Sequence, residues 1–122
     1  NMEWSTYLDV RKAGNFDVAR SAWCGDYNEP STFLNILKTD QEQNDGKWSN
    51  TEFDALMDQA ATSDNPQAQY TEAEMILSND MGIIPIYHYA NVFMLDPTLQ
   101  GFPMQNVENS WYVKDFYRVA EE

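Results

Sequence analysis

Hydrophobic and polar positions follow two different periods along this chain. Trp4, Tyr7, Leu8 and Arg11 recur at i, i+3, i+4 and i+7, which predicts a helix stopping at Gly14. Over residues 16–24 the period falls to two. Phe16, Val18, Arg20, Ala22 and Cys24 share one face, and Asp17, Ala19, Ser21 and Trp23 share the other. This predicts a strand, and its small residues predict that other elements approach on both faces. Turn chemistry follows from Gly25 to Pro30. Asn28 is the expected cap of a helix with Pro30 in its first turn, running through Phe33, Leu34, Ile36 and Leu37. Residues 40–46 read as a polar loop.

Ser49-Asn50-Thr51-Glu52 has the spacing of a capping box, placed just before the stripe Phe53, Leu56, Met57, Ala60 and Ala61. Asp64-Asn65-Pro66-Gln67 interrupts and restarts a helix whose inner face is Tyr70, Ala73, Ile76 and Leu77, with Gly82 at its end. Residues 83–95 are apolar and aromatic and read as one extended segment. Pro85 cannot donate to a ladder, so it belongs at the beginning of that strand or on an edge. Asp96-Pro97 opens a loop containing Gly101, Phe102 and Pro103, and residues 111–119 predict a last strand. Helix, strand, three helices, strand, loop, strand is a mixed α/β order.

Charge narrows the functional classes. Against 7 Lys and Arg stand 20 Asp and Glu, a net charge of −13. Nucleic-acid binding needs a basic face to neutralise phosphates, and anionic lipid attracts Lys and Arg, so neither is the expected partner. With 43% hydrophobic residues a packed core is expected rather than disorder. The acidic excess reads as a solvated surface that could attract cationic peptides over long range, an effect salt suppresses. The six Met residues are scattered over helix and strand faces and read as core filler.

Three features predict a fragment: no secretory signal, a first helix with no lead-in, and a single cysteine, Cys24, with no partner in the chain. Composition alone leaves two readings of Cys24 open, a buried thiol of a reduced protein or half of a disulfide in a secreted one.

The run Trp23-Cys24-Gly25-Asp26-Tyr27-Asn28-Glu29-Pro30, together with the extended residues before it, resembles the ligand-cleft strand and loop of the periplasmic oligopeptide-binding proteins, the peptide receptors of ABC importers. Ile84-Pro85-Ile86-Tyr87-His88-Tyr89-Ala90-Asn91 resembles that family's later proline and aromatic segment. Trp111-Tyr112-Val113-Lys114-Asp115-Phe116-Tyr117 resembles its C-terminal strand. The resemblance covers essentially the whole chain. It implies a C-terminal portion of a two-lobed periplasmic-binding-protein type II fold. Residues 1–86 would complete the second lobe, 87–95 would cross the hinge, and 96–122 would return into the first lobe. It also implies a periplasmic parent that delivers peptide to a membrane permease.

The resemblance further implies that Asp26 binds the peptide's α-ammonium. Gly25 beside it would let the ligand backbone approach without a Cβ clash. From its own residues alone, Asp26 could equally cap a turn. Arg20, mid-strand, either meets a ligand carboxylate or forms a structural ion pair. Trp4, Trp23, Tyr87 and Tyr89 are candidate pocket walls, with core packing as the alternative. Cys24, beside the ammonium site, would be half of a disulfide whose partner lies upstream. His88 departs from the family, where a tyrosine is expected, and puts the local pocket shape in question.

No catalytic residue, metal or cofactor is expected. One histidine cannot build a multi-histidine metal site, and no spacing pairs Cys24 with His88 or Asp17 with Asp26 for chemistry. Other solutes remain open on the same fold, among them murein peptides and nickel chelates. So does a stand-alone acidic interaction domain. An isolated fragment is expected to bind peptide negligibly and to self-associate through unpaired strand edges.

Overall fold

A computed structural model describes residues 1–104, 106 and 110–120. Helix α1 spans Trp4–Lys12, α2 spans Ser31–Leu34 and runs on as a 3₁₀ turn over Asn35–Leu37, α3 spans Thr51–Ala60, and α4 spans Gln67–Asp80. Two short strands follow, β1 at Leu99–Gln100 and β2 at Tyr117–Arg118.

The core lies where the 3.6-residue period was strongest. Phe53, Leu56, Met57 and Ala60 of α3 face Tyr70, Ala73 and Leu77 of α4, and Leu34 and Leu37 close the cluster. Trp48 packs edge to face on Phe53 with ring centroids 4.9 Å apart. Phe53 has no exposed surface, and burying such a side chain contributes roughly 1.5–3 kcal/mol. Ala61, predicted on the same stripe, is exposed.

Three predicted helix ends shift. The α3 cap is Asn50, whose side chain accepts from the Glu52 and Phe53 N–H groups at 3.0 and 3.1 Å, so Ser49 does not head a capping box. At α2 the cap position is Pro30 rather than Asn28, and the Glu29 carboxylate accepts from Ser31 N–H at 3.1 Å. At the end of α4 the left-handed position belongs to Met81, with φ 53°. Gly82 is required for space instead. A Cβ there would stand 2.8 Å from Trp48 Cδ2 and 2.9 Å from Leu77 Cδ1.

The predicted polar loop hides a buried amide. Asn44 is 3% exposed, and its Nδ2 donates to the carbonyls of Leu37, Lys38 and Trp48 at 3.3, 3.1 and 2.7 Å. It thereby ties the loop to both ends of the core. Arg11 Nε meets Asp45 Oδ2 at 2.6 Å, joining α1 to that loop.

The strand predictions are corrected. Among the described residues, 16–24 and 83–95 form no strand, and residues 111–119 contribute only β2 after a 3₁₀ turn at Val113–Asp115. A strand exists only through hydrogen bonds to a neighbour, and the described residues offer neither segment one. The apolar side chains that alternate along them therefore stay in water: Val18 is 84% exposed and Val92 91%. The approach predicted for residues 16–24 is made at Arg20, which Tyr7, Tyr87 and Tyr89 meet, rather than by strands on both faces.

β1 and β2 pair antiparallel, Leu99 opposite Arg118 and Gln100 opposite Tyr117. Beside them Phe102 stacks on Trp111 at 5.1 Å, and Phe93 and Phe116 complete an aromatic group. At the turn, Gly101 has φ +79°, and a Cβ on it would collide with the Asp115 carbonyl oxygen.

Candidate ligand-binding site

Trp4 and Tyr7, one helical turn apart on α1, stack with ring centroids at 5.5 Å. The Tyr7 hydroxyl donates to the Arg20 carbonyl oxygen. This anchors the extended segment from outside any ladder. The Arg20 guanidinium then reaches two phenols from far along the chain. It donates to Tyr89, and to Tyr87 at 3.5 Å. Residues two apart in an extended segment point the same way. Tyr87 and Tyr89 accordingly arrive together, edge to face at 4.8 Å.

Trp4, Arg20, Tyr87 and Tyr89, drawn from three separated segments, thus fall in one connected group. Among the described residues no carboxylate pairs with Arg20. Its charge meets phenol oxygens instead. Hydrogen bonding to Tyr87 pushes the Arg20 pKa up. The bond from Tyr89, helped by Arg20, draws the Tyr87 phenol down, and the same bond to Tyr87 raises Tyr89. Cys24 adds to the rise at Tyr89, and its thiol is free and exposed.

Asp26 bonds to neither of these phenols. Its carboxylate is exposed and has no hydrogen-bond or ionic partner among the described residues. Its backbone is held firmly: the Asp26 N–H donates to Thr32 Oγ1 at 2.9 Å. Gly25 lies against the same helix, where a Cβ would be 3.2 Å from Thr32 Cγ2 and from Phe33 Cζ. The space that glycine frees is therefore partly occupied by α2. Trp23 is 37% exposed, and His88 is exposed.

Around the turn, Tyr27 and Ser31 hydroxyls lie 3.0 Å apart, and Ser31 donates to Glu29. Burial pushes the Glu29 carboxyl up, but bonds from Ser31 and Tyr70 outweigh it and leave the group below its ordinary pKa. Tyr70 rises, through burial and through its bond to Glu29. Glu29, Ser31 and Tyr70 also line a concavity of about 350 Å³ that does not border Asp26 or Arg20. Among the described residues no cluster of His, Cys, Asp and Glu could hold a metal ion, and no helix is long and apolar enough to cross a membrane.

Sequence reasoning missed Tyr7 and Thr32. The helical stripe that contains Tyr7 gives no sign of its bond to Arg20. A hydroxyl residue shortly after Pro30 was the signal for Thr32, but its bond to Asp26 depends on how the turn closes.

No protein-family model matches the chain. Curated relatives do. The probable deoxycholate-binding periplasmic protein YgiS of Escherichia coli is 44% identical over 95% of this chain, and the periplasmic murein peptide-binding protein MppA of Escherichia coli is 43% identical over 98%. The periplasmic oligopeptide-binding protein OppA of Salmonella typhimurium is 39% identical over 96%. The chain spans only about 22% of the length of these relatives. Among solved structures, the unliganded open form of the murein tripeptide-binding protein MppA superposes with a TM-score of 0.81 at 42% identity, over 99% of this chain and 24% of that one. OppA of Haemophilus influenzae in complex with RPPGFSPFR superposes with a TM-score of 0.80 at 34% identity, over 98% of this chain and 24% of that one. Both are two-lobed binding proteins, and the mixed helix and strand of this chain follows part of that architecture.

Proposed function

Starting from the fact that this chain is, over 96–98% of its length, a relative of the periplasmic oligopeptide-binding proteins, we propose that it is the C-terminal part of a periplasmic receptor that captures short peptides for an ABC importer. The carrying observation is the convergence of Arg20, Tyr87, Tyr89 and Trp4, through Tyr7, on one exposed face, with a guanidinium that no carboxylate among the described residues neutralises. An exposed cation bonded to two phenols can accept a ligand's carboxylate, and aromatic walls supply apolar area at little rotamer cost. Asp26, with its carboxylate uncommitted, serves the opposite end as counter-ion to the α-ammonium. Trp23 and Gly25 border that end, and Cys24 lies between it and the Arg20 group. The receptor binds rather than transforms its ligand, and needs neither metal nor cofactor.

In this reading residues 1–86 belong to the second lobe, 87–95 cross the hinge, and 96–122 enter the first lobe. Two features support the division. Every residue of the main core lies between Leu34 and Leu77, and the aromatic group of Phe93, Phe102, Trp111 and Phe116 is built separately. Peptide would favour the closed state because only there do both lobes contact it. Cys24 would be cross-linked to an upstream cysteine of the parent, and delivery would be to a membrane permease.

The test is calorimetry on the full-length receptor with trialanine and its N-acetyl form. Free trialanine should bind more tightly, and Asp26→Ala should cost about 2–5 kcal/mol for the free form alone, the usual penalty for leaving an enclosed charge unpaired. Equal affinity for the two peptides removes Asp26 from this role. The 44% identity to a probable deoxycholate-binding protein favours a second reading, in which the ligand is a steroid carboxylate meeting Arg20. Murein peptides are the ligand class named by the similarly close MppA. Mass spectrometry of the ligand carried through native purification separates these classes.

A further inference from the structure

We infer that Thr32 is a positioning residue for Asp26, fixing the direction in which that carboxylate faces a ligand; the inference rests on the ammonium-binding role just proposed. An exposed turn following an unpaired extended segment has little to hold it. Here the turn is closed by a side chain. The Asp26 N–H donates to Thr32 Oγ1 at 2.9 Å, which fixes the peptide plane from which the aspartate's Cα–Cβ bond departs.

Thr32 can do this because it is itself immobilised. It is 3% exposed, one of the few buried polar residues among those described, and sits on α2 two positions before the core residue Leu34. Its backbone N–H donates to the Glu29 carbonyl at 3.2 Å, and Glu29 N–H donates to the Tyr27 carbonyl at 3.0 Å. Its methyl group faces Gly25 at a spacing that no Cβ could share comfortably. The hydroxyl and the methyl of one side chain therefore set the two residues that would meet the ligand's amino end. A hydroxyl is the right group: it accepts from a backbone N–H that would otherwise be partly buried and unpaired.

Thr32→Val preserves shape and removes the acceptor; Thr32→Ser preserves the acceptor. Calorimetry on the full-length receptor compares trialanine with N-acetyl-trialanine. Thr32→Val is expected to weaken free trialanine about tenfold, the factor that 1.4 kcal/mol makes. It should leave the acetylated peptide unchanged, and Thr32→Ser should restore the difference. Equal weakening of both peptides, or of neither, overturns the inference, because a merely structural residue would not change the discrimination between them. A wild-type receptor that does not discriminate defeats the Asp26 reading and this inference with it. Amide hydrogen exchange on the wild-type receptor covers the case in which Thr32→Val does not fold. The Asp26 N–H should be protected, and exchange at the rate of an unstructured peptide overturns the proposal.

Discussion

Arg20 in the extended segment and Asp26 in the turn after it meet different surroundings. Arg20, itself exposed, bonds to two phenols, and Asp26 faces water from a backbone held by Thr32. The Arg20 group gives a titration prediction. Tyr87 is drawn down by its bond with Tyr89 and by the guanidinium. Arg20→Gln removes the second influence, so the Tyr87 phenol should titrate at higher pH. NMR of labelled tyrosine rings checks this, and an unmoved Tyr87 means the contact does not persist in solution. Gly82 carries a packing prediction. Its missing Cβ makes room for Trp48 and Leu77, so Gly82→Ala forces one of them to move. Overpacking of this kind costs roughly 1–3 kcal/mol. A lowered denaturation midpoint at unchanged slope should report it, and an unchanged midpoint shows that the ring has room to yield.

At the level of elements, α3 and α4 carry their own instructions, while the β1–β2 pair depends on charge. Asp96 accepts from Thr98 N–H at 2.9 Å and Thr98 Oγ1 at 2.7 Å, and also from Arg118. The Thr98 bonds foremost, and then Arg118, pull its pKa down to about 2 from the usual 3.8. A carboxyl whose folded pKa lies below its unfolded one stabilises the folded form above the unfolded value and loses that contribution as pH falls through the folded one. The pairing of Leu99 with Arg118 should therefore hold at neutral pH and loosen between about pH 4 and pH 2, ahead of the helices. Amide chemical shifts of Leu99 and Val119 followed through acid titration test the order. Helix signals lost first would count against it. The helices rest on burial and caps, with Asn50 alone contributing about 0.5–2 kcal/mol by comparison with alanine.

The described residues form a packed body around α2, α3 and α4 and two extended segments with many apolar side chains in water. Met94 is 98% exposed and Ile86 79%. In the receptor reading these segments await strands from the rest of the parent. In that reading this part of the receptor cannot by itself build a cleft made by two lobes, so the 122-residue chain studied alone should show no calorimetric heat with trialanine. It should also associate with itself through the unpaired segments. Sedimentation velocity over a concentration series detects this. A monomer with micromolar peptide affinity contradicts both expectations.

What could be read from the chain and what could not divides along the range of the interactions involved. The stripes of α3 and α4, the interruption at Pro66 and the end at Gly14 follow from neighbours within a few residues, where backbone geometry and side-chain period act directly. The family likeness was legible too, because Trp23 to Pro30 and the aromatic run at Tyr87 are contiguous. Even so, Asn50 displaced Ser49 as the cap, since which side chain bends back depends on local dihedral angles rather than spacing. The strands failed for the opposite reason: alternation states only that a segment can pair, and pairing needs a partner that the described residues lack. Likewise no local rule brings Tyr7 and Tyr87 to Arg20, buries Asn44 in a polar loop, or sets Thr32 beneath Asp26. Those meetings join residues far apart in sequence or on opposite sides of a turn, and they exist because the folded backbone brings them within hydrogen-bond reach.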